Sequence, residues 1–123
     1  MSKTALVVDD SPTMRQMVAF TLTNAGFTVL EAENGKDAVS KLSGAPKMDL
    51  VVTDLNMPEM DGIALIKELR KLAAFKFTPI LMLTTESAME KKQAGKEAGA
   101  TGWIVKPFNP DVLMKTIAKV LPA

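Results

Sequence analysis

The groups in this chain best suited to handling a hard cation or an oxyanion are the adjacent acids Asp9 and Asp10, the acid Asp54, the hydroxyl of Thr84 and the ammonium of Lys106. Each ends or follows a short apolar run: ALVV before Asp9, DLVVT before Asp54, PILML before Thr84 and GWIV before Lys106. The chain has no histidine and no cysteine. Imidazole bases, thiolate nucleophiles, nitrogen- or sulfur-ligated metals and disulfides are therefore excluded. Three readings of Asp54 are open: metal ligand, carboxylate nucleophile, or a polar residue that merely stops a strand. Two full charges about 5 Å apart repel by about 3 kcal/mol at an effective dielectric of about 20, a cost that a cation relieves. Oxygen-only ligation favours Mg²⁺, with Mn²⁺ and Ca²⁺ less selective alternatives. A carboxylate, a hard cation, a hydroxyl and an ammonium on one rim compose a phosphoryl-transfer site, with the carboxylate as nucleophile and an aspartyl phosphate as product.

That composition requires elements that bring the groups together. The apolar runs at 5–8, 27–32, 49–54, 79–84 and 102–105 lack polar alternation, which suits strands buried on both faces of a parallel sheet. Between them, apolar residues recur at helical spacing over 12–25, 35–43, 62–72, 88–98 and 109–121. Ser11-Pro12, Asp61 before Gly62, and Asn109-Pro110 read as helix starts. Gly26, Gly35, Gly44, Gly99 and Gly102 read as helix stops. The helix at 88–98 is the most polar, with Lys91, Lys92 and Lys96 on a solvated or contact face. Alternating strands and helices imply an α/β, flavodoxin-like, doubly wound five-stranded parallel sheet with five helices, order 2-1-3-4-5. Ligands then bind beyond the carboxyl ends of the strands, where strands 1 and 3 are neighbours. Asp9, Asp10 and Asp54 fall at that edge, and the ends of strands 4 and 5 bring Thr84 and Lys106 to it.

The ordered set Asp9-Asp10, Asp54, Thr84 and Lys106-Pro107-Phe108 resembles the receiver domains of bacterial two-component response regulators, of the single-domain chemotaxis type. The resemblance runs from about residue 4 to residue 121. Any one motif is weak; all of them in order on the right strand ends are specific. The resemblance implies that Asp54 accepts a phosphoryl group from a histidine kinase. It implies Mg²⁺ ligation by Asp10, Asp54 and the backbone carbonyl of Asn56, with Asp9 acting largely through water. Thr84 and Lys106 would contact the phosphoryl oxygens, and Trp103 would be the aromatic switch. Asn56 and Glu86, two positions beyond Asp54 and Thr84, would tune phosphoryl lifetime. The Lys106-Pro107 bond is usually cis in that family. Two departures stand out: Trp103 is bulkier than the usual Tyr or Phe, and Thr85 replaces a common Ala, which bears on access to Asp54.

Length and composition bound the rest. The 123 residues suit one domain, residues 1–123, with no residues left for an attached DNA-binding output domain. Net charge is +1, from 15 basic and 14 acidic side chains, which gives no reason to expect nucleic acid or an anionic membrane as partner. The four-residue apolar run before Asp9 is too short for a signal peptide, so a cytoplasmic, monomeric protein is expected. Its expected partners are a chemotaxis-type histidine kinase, a downstream target such as the flagellar motor switch, and a phosphatase. It would not be an enzyme in the metabolic sense, although it would catalyse its own phosphorylation and slow hydrolysis. Blander roles suit several residues: Asp61 as a helix cap, Asp37 as support for a helix start, Asp49 as a solvated acid, and the nine methionines as core filler. A calcium loop fails, because Pro58, Glu59 and Leu65 occupy positions that need a ligand, a glycine and a bidentate glutamate. Nucleotide-binding glycine motifs do not occur. Two rivals remain: a small aspartate-nucleophile phosphatase, for which Asn56 is a poor general acid, and an interaction module that is never phosphorylated.

Overall fold

Val, Leu and Ile crowd the strand runs because the three central strands are covered on both faces, the two edge strands only in part. In the computed structural model, which describes residues 3–42, 47–85, 89–106 and 109–121, the elements are β1 (Thr4–Val8), α1 (Pro12–Asn24), β2 (Thr28–Ala32), α2 (Gly35–Leu42), β3 (Leu50–Thr53), α3 (Gly62–Lys71), a 3₁₀ turn (Ala73–Phe75), β4 (Ile80–Thr84), α4 (Met89–Ala98), β5 (Gly102–Val105) and α5 (Pro110–Val120). The strands form one parallel sheet in the order β2-β1-β3-β4-β5, as the alternation of runs predicts.

Side chains alternate across the sheet and feed two cores. Leu6, Val8, Val51, Ile80 and Met82 pack with Leu65, Ile66 and Leu69 of α3 and Ala98 of α4. Ala5, Val7, Leu50, Val52, Leu81 and Leu83 pack with Val18 and Leu22 of α1 and Leu113 and Ile117 of α5. Each fully buried Leu, Ile or Val contributes about 1.5–3 kcal/mol relative to an exposed one, so the sheet is held firmly from both sides. Met48, Met57 and Met82 are core filler, but Met17 and Met89 are exposed.

The helix starts follow the reading of the sequence. Ser11 Oγ accepts from the Met14 N–H, Asp61 Oδ1 from Ala64, and Asn109 Oδ1 from Asp111 and Val112. Asp37 accepts the Glu33 N–H and pairs with Lys41 one turn on, while Asn34 Oδ1 takes the Asp37 N–H. The Glu33 N–H bond and the Lys41 ammonium hold the Asp37 carboxyl below its ordinary value despite some burial. Among the expected helix stops, Gly26 and Gly99 do end helices, at φ of 100° and 116°. Gly35 and Gly102 instead open α2 and β5. At Gly35 the reason is space: a Cβ there would come within 2.8–2.9 Å of Met60. Gly44 lies outside the described residues. Asp49 is not simply solvated: its Oδ2 accepts the Thr4 N–H at 2.8 Å, satisfying the first donor of β1.

Candidate functional site

Asp9 and Asp54 each lie one residue past a strand end. Val8 is in register with Thr53, so the two aspartates emerge side by side. Their backbones continue the ladder: the Asp54 N–H donates to Val8 O at 2.9 Å, and the Asp9 N–H to Ala32 O at 3.1 Å. Asp9 and Asp54 are buried and Asp10 is exposed. One carboxylate oxygen from each of the three acids lies within 4.8 Å of the others. Gly62, the first residue of α3, lets that helix close on the end of β3. A Cβ there would collide with the Asp54 carbonyl, and the Gly62 N–H donates to Leu55 O at 2.8 Å.

Lys106 joins the acids from the far end of β5. Its N–H donates to Thr84 O at 2.7 Å, extending the β4–β5 pairing by one residue. Its Nζ lies 3.1 Å from Asp9 Oδ2 and 3.6 Å from Asp54 Oδ2, in a site where all three side chains are almost wholly buried. The second oxygens are tied to backbone: Asp9 Oδ1 accepts the Ser11 N–H at 2.9 Å, and Asp54 Oδ1 accepts the Leu55 N–H at 2.8 Å. Thr84 is fully buried, and its hydroxyl is one of the groups that favour the charged Asp54 carboxylate. Burial is the largest influence on the Asp54 carboxyl and raises its pKa above the ordinary value. Lys106 opposes this, Asp9 adds to it, and the Leu55 N–H and Thr84 hydroxyl oppose it; the net direction is upward. A raised pKa marks a carboxylate whose charge is under-compensated, which makes it more basic and receptive to a cation.

Three acids against one ammonium is a donor set that fits a hard, oxygen-ligated divalent cation. Asn56 is exposed, between the buried Leu55 and Met57. Thr85 is exposed next to the buried Thr84. Trp103 is half-buried and packs against the core cluster that includes Met82 and Ala98. Met82 is its partner across the β4–β5 pairing and Thr84 is in register with Val105, so Trp103 and Thr84 lie diagonally on one sheet face. Glu86, Pro107 and Phe108, and with them the Lys106-Pro107 bond, lie outside the described residues.

Sequence reasoning passed over Arg15. From the second turn of α1 its Nη1 donates to the Asp9 carbonyl at 2.7 Å, and its Nε pairs with Glu31 of β2 at 3.2 Å. The guanidinium thus pins the corner between Asp9 and Asp10. The available signal was scarcity: Arg15 and Arg70 are the only arginines among 15 basic residues. A planar fork of donors is the side chain suited to gathering carbonyls.

The family model described as "Response regulator receiver domain" matches residues 5–118. The chain belongs to this family. Among curated proteins, this receiver is 44% identical to chemotaxis protein CheY1 of Helicobacter pylori over 117 residues, 94% of each chain. It is 43% identical to the chemotaxis protein CheY homolog of Campylobacter jejuni, covering 94% of this chain and 90% of that one. Among solved structures, chemotaxis protein CheY4 of Vibrio cholerae superposes with a TM-score of 0.93 at 50% identity, covering 98% of this chain and 100% of that one. The receiver domain of a histidine kinase from Syntrophus aciditrophicus gives 0.87 at 32% identity, covering 98% and 90%. By fold and sequence this chain is a receiver domain of the CheY type.

Proposed function

We propose that this receiver is a phosphorylation switch of chemotaxis, with Asp54 as the phosphoryl acceptor. The observation that carries the assignment is the buried Lys106 ammonium set between Asp9 and Asp54, at 3.1 and 3.6 Å, beside a third acid. Asp54 Oδ2, the oxygen facing Lys106, attacks the phosphorus of a phosphohistidine donor. A P–O bond forms to Asp54 as the P–N bond breaks, and the donor imidazole leaves with the electron pair. Lys106 then balances charge on a phosphoryl oxygen, and the Thr84 hydroxyl donates to another. Asp9, Asp10, Asp54 and the Asn56 carbonyl would hold Mg²⁺, which when bound supplies compensation for the charge on the phosphoryl oxygens. Hydrolysis of the acyl phosphate by water returns the Asp54 carboxylate and releases inorganic phosphate. Thr85, Asn56 and Glu86 act on the rate of that step.

The output is a change of protein contacts. Thr84 and Trp103 bias a two-state element comprising α4, β5 and α5. The partners that fit are a chemotaxis-type histidine kinase, a motor-switch or equivalent target, and a phosphatase, all met in the cytoplasm by a monomeric single domain. Among the described residues no helix is long and apolar enough to cross a membrane. Asp54→Asn is expected to abolish Mg²⁺-dependent labelling by a small phosphodonor such as acetyl phosphate. Undiminished labelling in that variant overturns the assignment. Sustained turnover of many phosphate esters by the wild type would favour a phosphatase instead.

A further inference from the structure

The most polar helix of the molecule carries a glycine in its interior. Gly95 lies within α4, where glycine is less favourable than alanine. It is buried, as is Ala98 one turn on, in a helix that is otherwise largely exposed. A Cβ at this position would lie 2.7 Å from Cζ3 of Trp103, 3.3 Å from Cε3 and 3.9 Å from Cη2. All three atoms belong to the six-membered ring of the indole. That ring therefore occupies the volume that a side chain at residue 95 would need. The Gly95 carbonyl also accepts the Gly99 N–H at 3.1 Å and the Ala100 N–H at 2.9 Å, so this residue anchors the turn that ends α4.

We infer that Gly95 is the positioning residue for Trp103. The missing side chain is a socket that admits the large ring and ties its position to the placement of α4. The pairing answers the question raised by a tryptophan on β5 in place of a smaller aromatic. The helix gives up one methyl group where the strand gains a second ring. With the ring seated, α4 is held against the β5 side of the sheet through an aromatic contact at its centre. With the ring swung out, the Gly95 backbone loses that cover and α4 loses its central contact. Two torsions suffice to move the ring, so an added methyl group displaces the indole more readily than the helix backbone. The link from ring position to phosphorylation rests on the function proposed above; the socket itself does not.

Gly95→Ala tests this in unphosphorylated, metal-free protein. In the wild-type background it is expected to lower the thermal midpoint by about 3–6 °C. It should also red-shift the emission of Trp103, the only tryptophan, and increase its quenching by acrylamide. In a Trp103→Leu background the same change is expected to raise the midpoint by about 2–5 °C, as alanine for glycine in a helix does where space permits. That reversal of sign is the signature of a socket, and a generally intolerant helix would not produce it. A midpoint that rises in both backgrounds, with unchanged emission, overturns the inference, as does a fall of equal size in both. Adding Mg²⁺ and beryllofluoride then separates the two claims. The wild-type emission should change on adding the mimic, and Gly95→Ala should blunt that change by at least about half, its ring being already displaced. A wild type silent to the mimic counts against Trp103 as a phosphorylation reporter, and the reversal of sign without the mimic still decides the socket.

Discussion

The two rims of the sheet treat their polar groups in opposite ways. At the amino rim, where the strands begin, two charged side chains are spent on backbone groups. Asp49 takes the first N–H of β1. Arg70, at the end of α3, gathers the carbonyls of Phe75, Thr78 and Gly99, each at 2.7 Å, and so ties the approaches to β4 and β5 to one guanidinium. Burial lowers the pKa of that guanidinium, but a guanidinium remains charged. At the carboxyl rim three acids share one ammonium, the central acid has a raised pKa, and the neighbouring loop bends through Glu59 at φ 67°, a conformation that side chains other than glycine seldom adopt. Each rim has one arginine on carbonyl oxygens, Arg70 on two connections and Arg15 on the Asp9 corner. At one rim Asp49 and Arg70 are satisfied by backbone and contribute stability. The other is left short of positive charge and bends through a left-handed residue, and a deficit of positive charge is one that a cation can fill.

Three experiments test how separable the rims are. Arg70→Met should have the largest effect, because it leaves several carbonyls without a charged donor. A loss of about 2–4 kcal/mol in urea unfolding is expected, with Asp54 labelling within about twofold of wild type at temperatures where the variant is folded. Labelling that falls in step with the lost bonds would mean that the rims are coupled. Asp54→Asn should do the reverse, removing the labelling while raising the metal-free thermal midpoint by about 2–5 °C. The pH dependence follows from the raised pKa of Asp54. A group whose folded pKa lies above its unfolded value costs stability above the folded pKa, and the cost disappears as pH falls below the unfolded value near 3.8. The advantage of the Asn variant should therefore be largest above the raised folded pKa and shrink as pH falls toward 3.8. An advantage that does not vary with pH would show that charge is not its cause. The smallest effect is expected for Glu59→Gly, which relieves the left-handed backbone and should add about 0.5–1 kcal/mol in the same unfolding assay. A loss instead would show that the Glu59 side chain does more for the loop than its backbone costs.

The rims also differ in how far they could be read from residue types. The carboxyl rim was legible because its groups close apolar runs and the rule for parallel sheets says where such ends meet. Asp9, Asp54, Thr84 and Lys106 all came together there. Ser11, Asp61 and Asn109 were legible as caps because capping is local. Arg70 was not, because its carbonyl partners lie as far as 29 positions away and belong to turns that carry no pattern. Asp49 looked idle for the same reason, its partner Thr4 being 45 positions distant. Gly35 was misread as a stop because its role is to admit Met60, and Gly95 drew no notice because its role is to admit Trp103. Absent atoms take their meaning from what fills the space, and a linear pattern does not show that.

The placement of Asp9 and Asp54 one residue beyond paired strands has a wider consequence. Their separation is set by the backbone ladder, whose strands lie about 4.8 Å apart in any sheet. The spacing of the two backbones is thus a property of main-chain architecture, and Lys106 sets how the two carboxylates face each other across it. The exposed helix faces can change while the ruler that spaces the acids stays the same length. A chemistry fixed by the backbone beneath surfaces free to vary can be duplicated and reassigned, one partner at a time, without being reinvented.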